Sequence, residues 1–221
     1  MRVLVLNSGS SSLKFAVYET SRALIAREAD RRIAGGIGER IGAEAAVLTF
    51  RVDGGEKIRH AEKAENHKAA LALAWKAIRE HAPGAIDAVG HRVVHGGPHL
   101  ARSCLIDEKI SSEIAEAIQL APLHNPHNLS GIRAVSEILQ GAPQVAAFDT
   151  GFHQTIPAAA ATYALPYDLC IRHGIRKYGF HGLSHRYLLY RIRRLLGKER
   201  NETSLITVHL GNGASVAAIK N

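Results

Sequence analysis

Residues 2–18 read RVLVLNSGSSSLKFAVY, and residues 205–219 read LITVHLGNGASVAAI. Each stretch contains an apolar run, a cluster of small residues rich in Gly or Ser with an Asn, and a second apolar run, which is typical of two strands joined by a tight turn. The apolar positions of the two stretches coincide when Ser215 is set on Ser12. This repeat predicts two related lobes, each of which opens with a β-hairpin.

The second hairpin stands at the end of the sequence. An isolated two-stranded hairpin is only marginally stable in water, and its unpaired edges favour association. We therefore expect the chain to be the front part of a longer protein. Residues 1–150 would form a first lobe, and residues 151–221 would begin a second lobe that is incomplete here.

Strand and helix patterns alternate between the two hairpins. This alternation predicts an α/β fold. The patterns predict strands at 46–52, 86–94 and 145–148 and helices at 62–81, 107–120, 130–139 and 184–196.

Local chemistry predicts how two of the helices begin. Asn125 precedes Pro126, which is the order of an N-cap residue followed by proline at the first helical position. Ser184 is expected to cap the last helix. The buried side of that helix is predicted to carry Leu188, Leu189, Ile192, Leu195 and Leu196.

The composition is that of a folded protein. Of 221 residues, 46% are hydrophobic and 22% charged, which excludes disorder as the main state. We expect neither a membrane span nor a secretory signal, because the apolar runs are too short. Cys104 and Cys170 provide no disulfide framework, which favours the cytoplasm. The net charge of +8 indicates an anionic partner without identifying it.

The turn from Asn7 to Ser12 has the chemistry of a phosphate-binding loop. Its small residues place backbone N–H groups and hydroxyls close together, and Lys14 adds a positive charge nearby. The alternative is an ordinary hairpin turn, and the Walker pattern is not present.

Arg92 lies inside the predicted apolar strand 86–94. A guanidinium there suits a carboxylate or a phosphate, and the alternative is an ion pair within the protein. His91, His95 and His99 recur at four-residue intervals, but the surrounding valines and glycines favour a strand and turn over a zinc-binding helix.

Four further polar residues are candidates for a site. Asp149 follows the strand 145–148, and ligands of α/β sheets usually lie beyond such strand ends. His181 stands between Phe180 and Gly182, so that backbone or ligand can approach it closely. His124 and His127 flank the predicted helix start. The alternatives are a turn-stabilising aspartate and solvent-exposed histidines.

The arginine-rich helix offers a different class of function. Arg186, Arg191, Arg193 and Arg194 together with Tyr187 and Tyr190 would suit nucleic acid. No helix-turn-helix, zinc-finger or RNP pattern accompanies them, so a solvated helix face is favoured.

Taken together, the motifs resemble the acetate kinase family. They are N-S-G-S-S-S-L-K (7–14), H-R-V-V-H-G-G (91–97), P-L-H-N-P-H-N (122–128), F-D-T-G-F-H-Q-T (148–155), Y-G-F-H-G-L-S-H (178–185) and H-L-G-N-G-A-S (209–215). The resemblance implies an actin/hexokinase/Hsp70-like fold of two duplicated lobes around an ATP cleft. It also implies a cytoplasmic homodimer that interconverts ATP plus acetate with ADP plus acetyl phosphate, without membrane or nucleic-acid partners.

The resemblance also implies roles for individual residues. Asp149, His181 and Arg92 would be catalytic, with Arg92 holding the acyl substrate and His124 in a supporting role. Asn7 would belong to the site of Mg²⁺, which Mn²⁺ can replace. The walls of the acetate pocket would be Val94, Leu123 and Phe180, and the ATP-phosphate contacts would be Lys14, His209, Leu210, Gly211, Asn212 and Gly213.

The sequence departs from the family pattern in two respects. Gly151 stands where alanine is expected, and the chain is much shorter than family members, so that a second catalytic arginine, a magnesium-site glutamate and the adenosine loops would lie beyond Asn221. The alternatives are a propionate or butyrate kinase of the same family, or a non-catalytic remnant or binding module.

Overall fold

The computed structural model describes residues 1–211 and 213–220. The chain divides into two compact units. Unit 1 contains Met1–Gly97 and Ser103–Ala147, and unit 2 contains Pro98–Arg102 and Phe148–Asn221.

The predicted α/β fold class is confirmed. The strands are β1 (Arg2–Ser8), β2 (Ser12–Glu19), β3 (Arg31–Glu39), β4 (Ala46–Val52), β5 (Lys57–Glu62), β6 (Ala88–Val93), β7 (Cys104–Leu105), β8 (Gln144–Phe148), β9 (Leu205–Leu210) and β10 (Ala214–Ile219). The α-helices are α1 (Arg22–Arg27), α2 (His67–His81), α3 (Glu108–Glu116), α4 (Asn125–Ile138), α5 (Ala158–Ala161), α6 (Tyr167–His173) and α7 (Gly182–Leu196). Short 3₁₀ helices cover Ala117–Leu120, Asp149–Thr155 and Arg200–Glu202.

Unit 1 is organised around a mixed sheet. Its strand order is β5-β4-β3-β2-β1-β6-β8-β7. Strand β1 runs antiparallel to β2, as the first predicted hairpin requires, and parallel to β6. Because side chains alternate between the faces of a strand, Leu4 and Leu6 of β1 are buried, and they join a core with Leu71 and Ile78 of α2.

Three strands of the sheet were not predicted, and one of them is the two-residue strand β7. Strand β3 contains Gly35, Gly36 and Gly38, which lower strand propensity. Gly36 is nevertheless needed in this strand, because a Cβ there would lie only 2.7 Å from the Phe15 ring. Strand β5 is mostly exposed and polar, so it lacks an apolar pattern. The predicted helix start at Glu62 is therefore wrong, and α2 begins where the Asn66 side chain accepts a hydrogen bond from Ala69 N–H.

The two predicted helix caps are also wrong. Helix α4 starts at Asn125, with His124 as its N-cap residue, because the Asn125 side chain is engaged elsewhere in the core. In α7 the N-cap residue is His181. Leu189 of that helix is buried as predicted, but Leu188, Leu195 and Leu196 are exposed.

Unit 2 contains the second predicted hairpin. Strands β9 and β10 pair antiparallel, with Thr207 opposite Ala217, and both of these side chains are buried. The alternate side chains on the other face are apolar and exposed, namely Ile206, Val208, Leu210 and Val216. In the part of the chain that the structure describes, no helix is long and apolar enough to cross a membrane.

We expect the stability of unit 1 to fall in mild acid because of His91. Burial lowers the pKa of His91 to about 4, although its hydrogen bond with Gln144 acts in the opposite direction. Between pH 6.5 and 4, His91 becomes protonated in the unfolded chain but stays largely neutral in the folded one. By pH 4 this difference lowers the free energy of unfolding by about 3 kcal/mol. Hydrogen exchange of β6 amides measures the loss.

The matched variants are His91→Gln and Ser136→Ala. His91→Gln removes the titrating group and should flatten this part of the pH dependence. Ser136→Ala removes the hydroxyl that receives the Gln144 amide hydrogen bond and should lower stability without changing the slope. An unchanged slope in His91→Gln would contradict the assignment.

Candidate active site

A polar row crosses three neighbouring strands of unit 1. Asn7 of β1 lies opposite Lys14 of β2, and Leu6 lies opposite His91, which sets Asn7 beside Arg92 of β6. The Arg92 Nη1 donates a hydrogen bond of 3.3 Å to Asn7 Oδ1. Directly opposed residues share one face of a sheet, so Lys14, Asn7 and Arg92 form a row of cation, amide and cation.

The face that carries this row has room for a ligand. On the same face, two residues further back along β1 and β6, Val5 is 40% exposed and lies opposite Gly90. A Cβ at Gly90 would meet no atom within 4 Å. The row is therefore flanked by open space as well as by positive charge, as an anion requires.

Hydrogen bonds and close packing against α4 fix the turn that follows Asn7. Gly9 N–H donates to Ser12 O at 2.8 Å, and the His67 Nε2 donates to Gly9 O at 2.7 Å. A Cβ at Gly131 of α4 would overlap the Ser8 hydroxyl. Glycine at that position allows the helix to approach the turn.

Two buried asparagines of α4 fix the ends of β1 and β6, a role that the sequence analysis did not predict for them. Asn128 accepts from Val94 N–H at 3.0 Å and donates to Ser8 O at 2.9 Å. Asn125 bonds both the N–H and the carbonyl of His95, at 3.1 and 2.9 Å. The two asparagines satisfy buried backbone groups where β6 ends.

The predicted pocket walls have different surroundings. Val94 is buried, whereas Leu123 is 75% exposed and Phe180, in unit 2, is 42% exposed. His124 is exposed, and the His127 ring lies 5.4 Å from that of His67. Burial, followed by the charges of His67 and His124, lowers the pKa of His127.

In unit 2, Asp149 lies against the start of α7. Asp149 is 1% exposed and begins the 3₁₀ helix that follows β8. A Cβ at Gly182 would overlap the Asp149 carbonyl oxygen, so glycine is required for this approach. His181 precedes Gly182 and has a left-handed backbone with φ 54°. Such a conformation is strained for a residue with a Cβ and often marks a functional position.

His153 supports the segment that leads into His181. Its Nε2 donates to Phe180 O at 3.0 Å, and its ring packs where a Cβ at Gly179 would lie. Burial lowers the pKa of His153, while the Phe180 hydrogen bond and the Asp149 charge raise it. The Asp149 carboxylate therefore acts electrostatically within this group of residues.

Replacing Gly179 with alanine should displace His153 as well as strain the backbone. Gly179 has φ 76° and Gly174 has φ 61°, but Gly174 has open space around it. Gly174→Ala should cost about 1–2 kcal/mol of unfolding free energy from strain alone. Gly179→Ala should cost roughly 1–3 kcal/mol more, because of overpacking. Thermal unfolding and hydrogen exchange of α7 measure the difference, and equal costs would contradict the packing role.

His181 is surrounded by polar groups of α7, β9 and β10. Its Nδ1 lies 2.9 Å from Ser215 Oγ, and its ring stacks on His209 with centroids 4.1 Å apart. His209 Nδ1 in turn lies 3.0 Å from the hydroxyl of Ser184, which stands in the first turn of α7. A Cβ at Gly213 would lie 3.5 Å from His181 Cε1.

The structure thus brings together two subsets of the predicted site residues. Asn7, Lys14 and Arg92 are neighbours in unit 1, and Asp149, His181, His209 and Gly213 cluster in unit 2. Leu210 is 79% exposed and Gly211 is also exposed, while Asn212 lies outside the described residues. That Arg92, Asp149 and His181 share one crevice stays a prediction.

The oxygen donors partly fit a magnesium ion. Among the described residues, no group of three or more His, Cys, Asp or Glu side chains could hold a metal. Mg²⁺ commonly takes only one or two protein carboxylates and completes its coordination with phosphates and water. Asp149 fits such a role, whereas the Asn7 Oδ1 already accepts from the Arg92 guanidinium.

Comparisons with known proteins give one consistent result. A model described as the Acetokinase family matches residues 2–221. The acetate kinase of Thermotoga maritima is 49% identical over 226 residues, which are 100% of this chain and 54% of that protein.

Solved structures agree with these matches. Porphyromonas gingivalis acetate kinase superposes with a TM-score of 0.89 at 42% identity, over 100% of this chain and 55% of that one. A propionate kinase from Francisella tularensis superposes with a TM-score of 0.89 at 38% identity, over 99% and 54%. The chain spans about half the length of the curated relatives it matches.

Proposed function

The chain belongs to the acetokinase family, and from this premise we propose that it serves reversible phosphoryl transfer from ATP to acetate. The observation that supports this most directly is the row of Lys14, Asn7 and Arg92, beside the small-residue turn and open space. Two cations around an amide suit a reaction in which a carboxylate meets a phosphate.

The chemistry sets a clear demand on these residues. Acetate is ionised at neutral pH because carboxylic acids have pKa values near 4. An acetate oxygen attacks the γ-phosphorus, and the bond from that phosphorus to the bridging oxygen breaks, so that acetyl phosphate and ADP form. No general base is needed, because the nucleophile carries no proton.

The barrier is largely electrostatic. At 4 Å and an effective dielectric constant of 20, each pair of like charges costs on the order of 4 kcal/mol. Arg92 would hold the carboxylate by its guanidinium fork, and Lys14 would offset phosphate charge. His181 would donate a hydrogen bond to the transferring group, and Asp149 would hold the geometry of the reacting groups.

A divalent cation completes this proposal. Phosphate charge would be neutralised by Mg²⁺, or by Mn²⁺ in its place. Asn7 would belong to the site of this ion through the second lone pair of its Oδ1, beside the hydrogen bond from Arg92, and Asp149 would organise the water bound to the ion. In the same proposal, residues 1–150 provide the acyl-substrate lobe, and residues 151–221 begin the nucleotide lobe with His209, Leu210, Gly211, Asn212 and Gly213. A homodimer and a cytoplasmic location also belong to the proposal and rest on the family.

The experiment compares the chain alone with a hybrid kinase. The hybrid joins this chain to the part of Thermotoga maritima acetate kinase that the match does not cover. Acetyl phosphate is trapped with hydroxylamine in the presence of ATP, Mg²⁺ and acetate. We expect the hybrid to turn over and the chain alone to turn over slowly or not at all. A hybrid that folds and binds ATP but forms no acyl phosphate with any short acid would contradict the proposal.

A second candidate substrate has specific support. The similarity to the Francisella tularensis propionate kinase keeps propionate open as the acceptor. A series of acetate, propionate and butyrate, each measured as kcat/KM in the hybrid, separates these acceptors. Salt-dependent retention on DNA without any nucleotide effect would instead favour a non-catalytic binding module.

A further inference from the structure

Four side chains of unit 2 form a continuous hydrogen-bonded chain that ends at His181. Thr207 Oγ1 lies 2.7 Å from His185 Nδ1, and His185 Nε2 lies 2.9 Å from Ser215 Oγ. Ser215 Oγ lies 2.9 Å from His181 Nδ1. His185 is 0% exposed and Thr207 is 4% exposed, so water does not compete freely at the buried end.

Counting protons leaves two possible directions for these hydrogen bonds, and the distances favour one of them. The Thr207 hydroxyl has one proton and two nearby acceptors, which are His185 Nδ1 at 2.7 Å and the Ala217 carbonyl at 3.4 Å. Thr207 can donate to His185 Nδ1, or it can accept from that nitrogen and donate to the Ala217 carbonyl. At 3.4 Å the contact with Ala217 is a weak hydrogen bond, which favours donation from Thr207 to His185 Nδ1. A neutral imidazole has one donor nitrogen and one acceptor nitrogen, and His185 Nε2 must therefore donate to Ser215. The Ser215 proton is then directed to His181 Nδ1.

We propose that Thr207, His185 and Ser215 are positioning residues that hold His181 in the tautomer with its proton on Nε2. His185 acts as the link, because its own tautomer fixes the direction in which the Ser215 hydroxyl points. Reversing His185 would reverse Ser215 and move the His181 proton to Nδ1.

The surroundings of His185 keep its ring neutral, so that all the hydrogen bonds from Thr207 to His181 donate in one direction. Burial, followed by the charges of His153, His181 and His209, lowers the pKa of His185, and only the Asp149 charge acts in the opposite direction. The rings of His153 and Phe152 pack against it with centroids 5.6 and 6.5 Å away. A charged His185 would donate from both nitrogens and would no longer respond to Thr207.

The other edge of His181 lies beside a glycine. A Cβ at Gly213 would be 3.8 Å from His181 Nε2, and the His209 ring covers one face of the imidazole. An Nε2–H at this edge is a hydrogen-bond donor for an oxygen of a bound anion. Its use on the transferring phosphoryl group rests on the proposed function, whereas the tautomer itself does not.

Nitrogen-15 NMR of the histidine side chains in residues 1–221 tests the proposal without turnover. Long-range ¹H–¹⁵N spectra distinguish a protonated ring nitrogen from an unprotonated one. We expect both His181 and His185 to carry the proton on Nε2 near neutral pH. His181 protonated on Nδ1 would overturn the proposal.

Coupling variants separate a positioning chain from a merely structural contact. Thr207→Val should shift the His181 ring nitrogens although Thr207 does not touch that ring, and Thr207→Ser should restore them. In a Ser215→Ala background the same Thr207→Val change should leave His181 unaffected. Equal shifts in both backgrounds, or none in either, would overturn the proposal. If Thr207→Val does not fold, a Ser215→Ala variant whose His181 Nδ1 shift matches the unsubstituted chain would also overturn it.

These results and the activity of the hybrid kinase are independent. An inactive hybrid with the expected tautomers would reject the proposed function and leave the chain of hydrogen bonds intact. An active hybrid with His181 protonated on Nδ1 would do the opposite.

Discussion

An Asp149→Asn substitution in the hybrid kinase should lower kcat by about 10³-fold, at the upper end of the loss expected when one preorganised polar group is removed. Asp149 is buried at the start of a 3₁₀ helix and packs by its backbone against Gly182, so the amide has nearly the same shape and position. What changes is the charge. Because the acetate nucleophile is already ionised, we assign this loss to substrate geometry and to the metal, not to proton removal.

The metal requirement distinguishes this role from general-base catalysis. In Asp149→Asn the concentration of Mg²⁺ that gives half-maximal rate should rise together with the fall in kcat. The control is Asp168→Asn, since Asp168 is an exposed carboxylate in the first turn of α6, in the same unit. Near-normal turnover with an unchanged Mg²⁺ requirement in Asp149→Asn would show that the assignment is wrong.

The parts of the fold that were predictable have local signals. The hairpins and β4 combine apolar runs with turn residues, and each formed where the sequence predicts it. Strand β3 was missed because its glycines lower strand propensity, and the close approach of the Phe15 ring that requires glycine at Gly36 is a tertiary contact. Strand β5 was missed because a polar strand with one neighbour depends on pairing with β4, which local sequence does not show.

In the candidate site, too, residues with a local sequence signal were predictable, whereas tertiary arrangements were not. Arg92 and Asp149 stand out because a charge within or directly after an apolar strand is unusual. The asparagines of α4 and the chain from Thr207 to His181 are tertiary arrangements, and a single segment does not reveal them. A weak signal was present, because Asn125 and Asn128, and also His181 and His185, have the spacing of residues on one helix face. The left-handed backbone of His181 had no signal, since glycine usually takes that conformation.

Arg92→Leu in the hybrid kinase should lower kcat/KM for acetate by about 10²- to 10³-fold, because losing one partner of a charged hydrogen-bonded pair typically costs 2–5 kcal/mol. Arg92→Lys should recover only part of this loss, since lysine keeps the charge but not the planar fork. The KM for ATP should change little in either variant. The control is Arg133→Leu, at an exposed arginine of α4 in the same unit.

Comparing the effect of the substitution on the kinetic constants for acetate and for ATP shows which substrate Arg92 binds. Its guanidinium lies next to Asn7 in the polar row and close to the open space at Gly90, so a carboxylate bound there can use both the charge and the fork. If the KM for ATP rises instead of that for acetate, Arg92 binds phosphate. If neither kinetic constant changes but the variant unfolds at a lower temperature, Arg92 is a structural partner of Asn7. A loss confined to acetate is the outcome that a carboxylate-binding Arg92 requires.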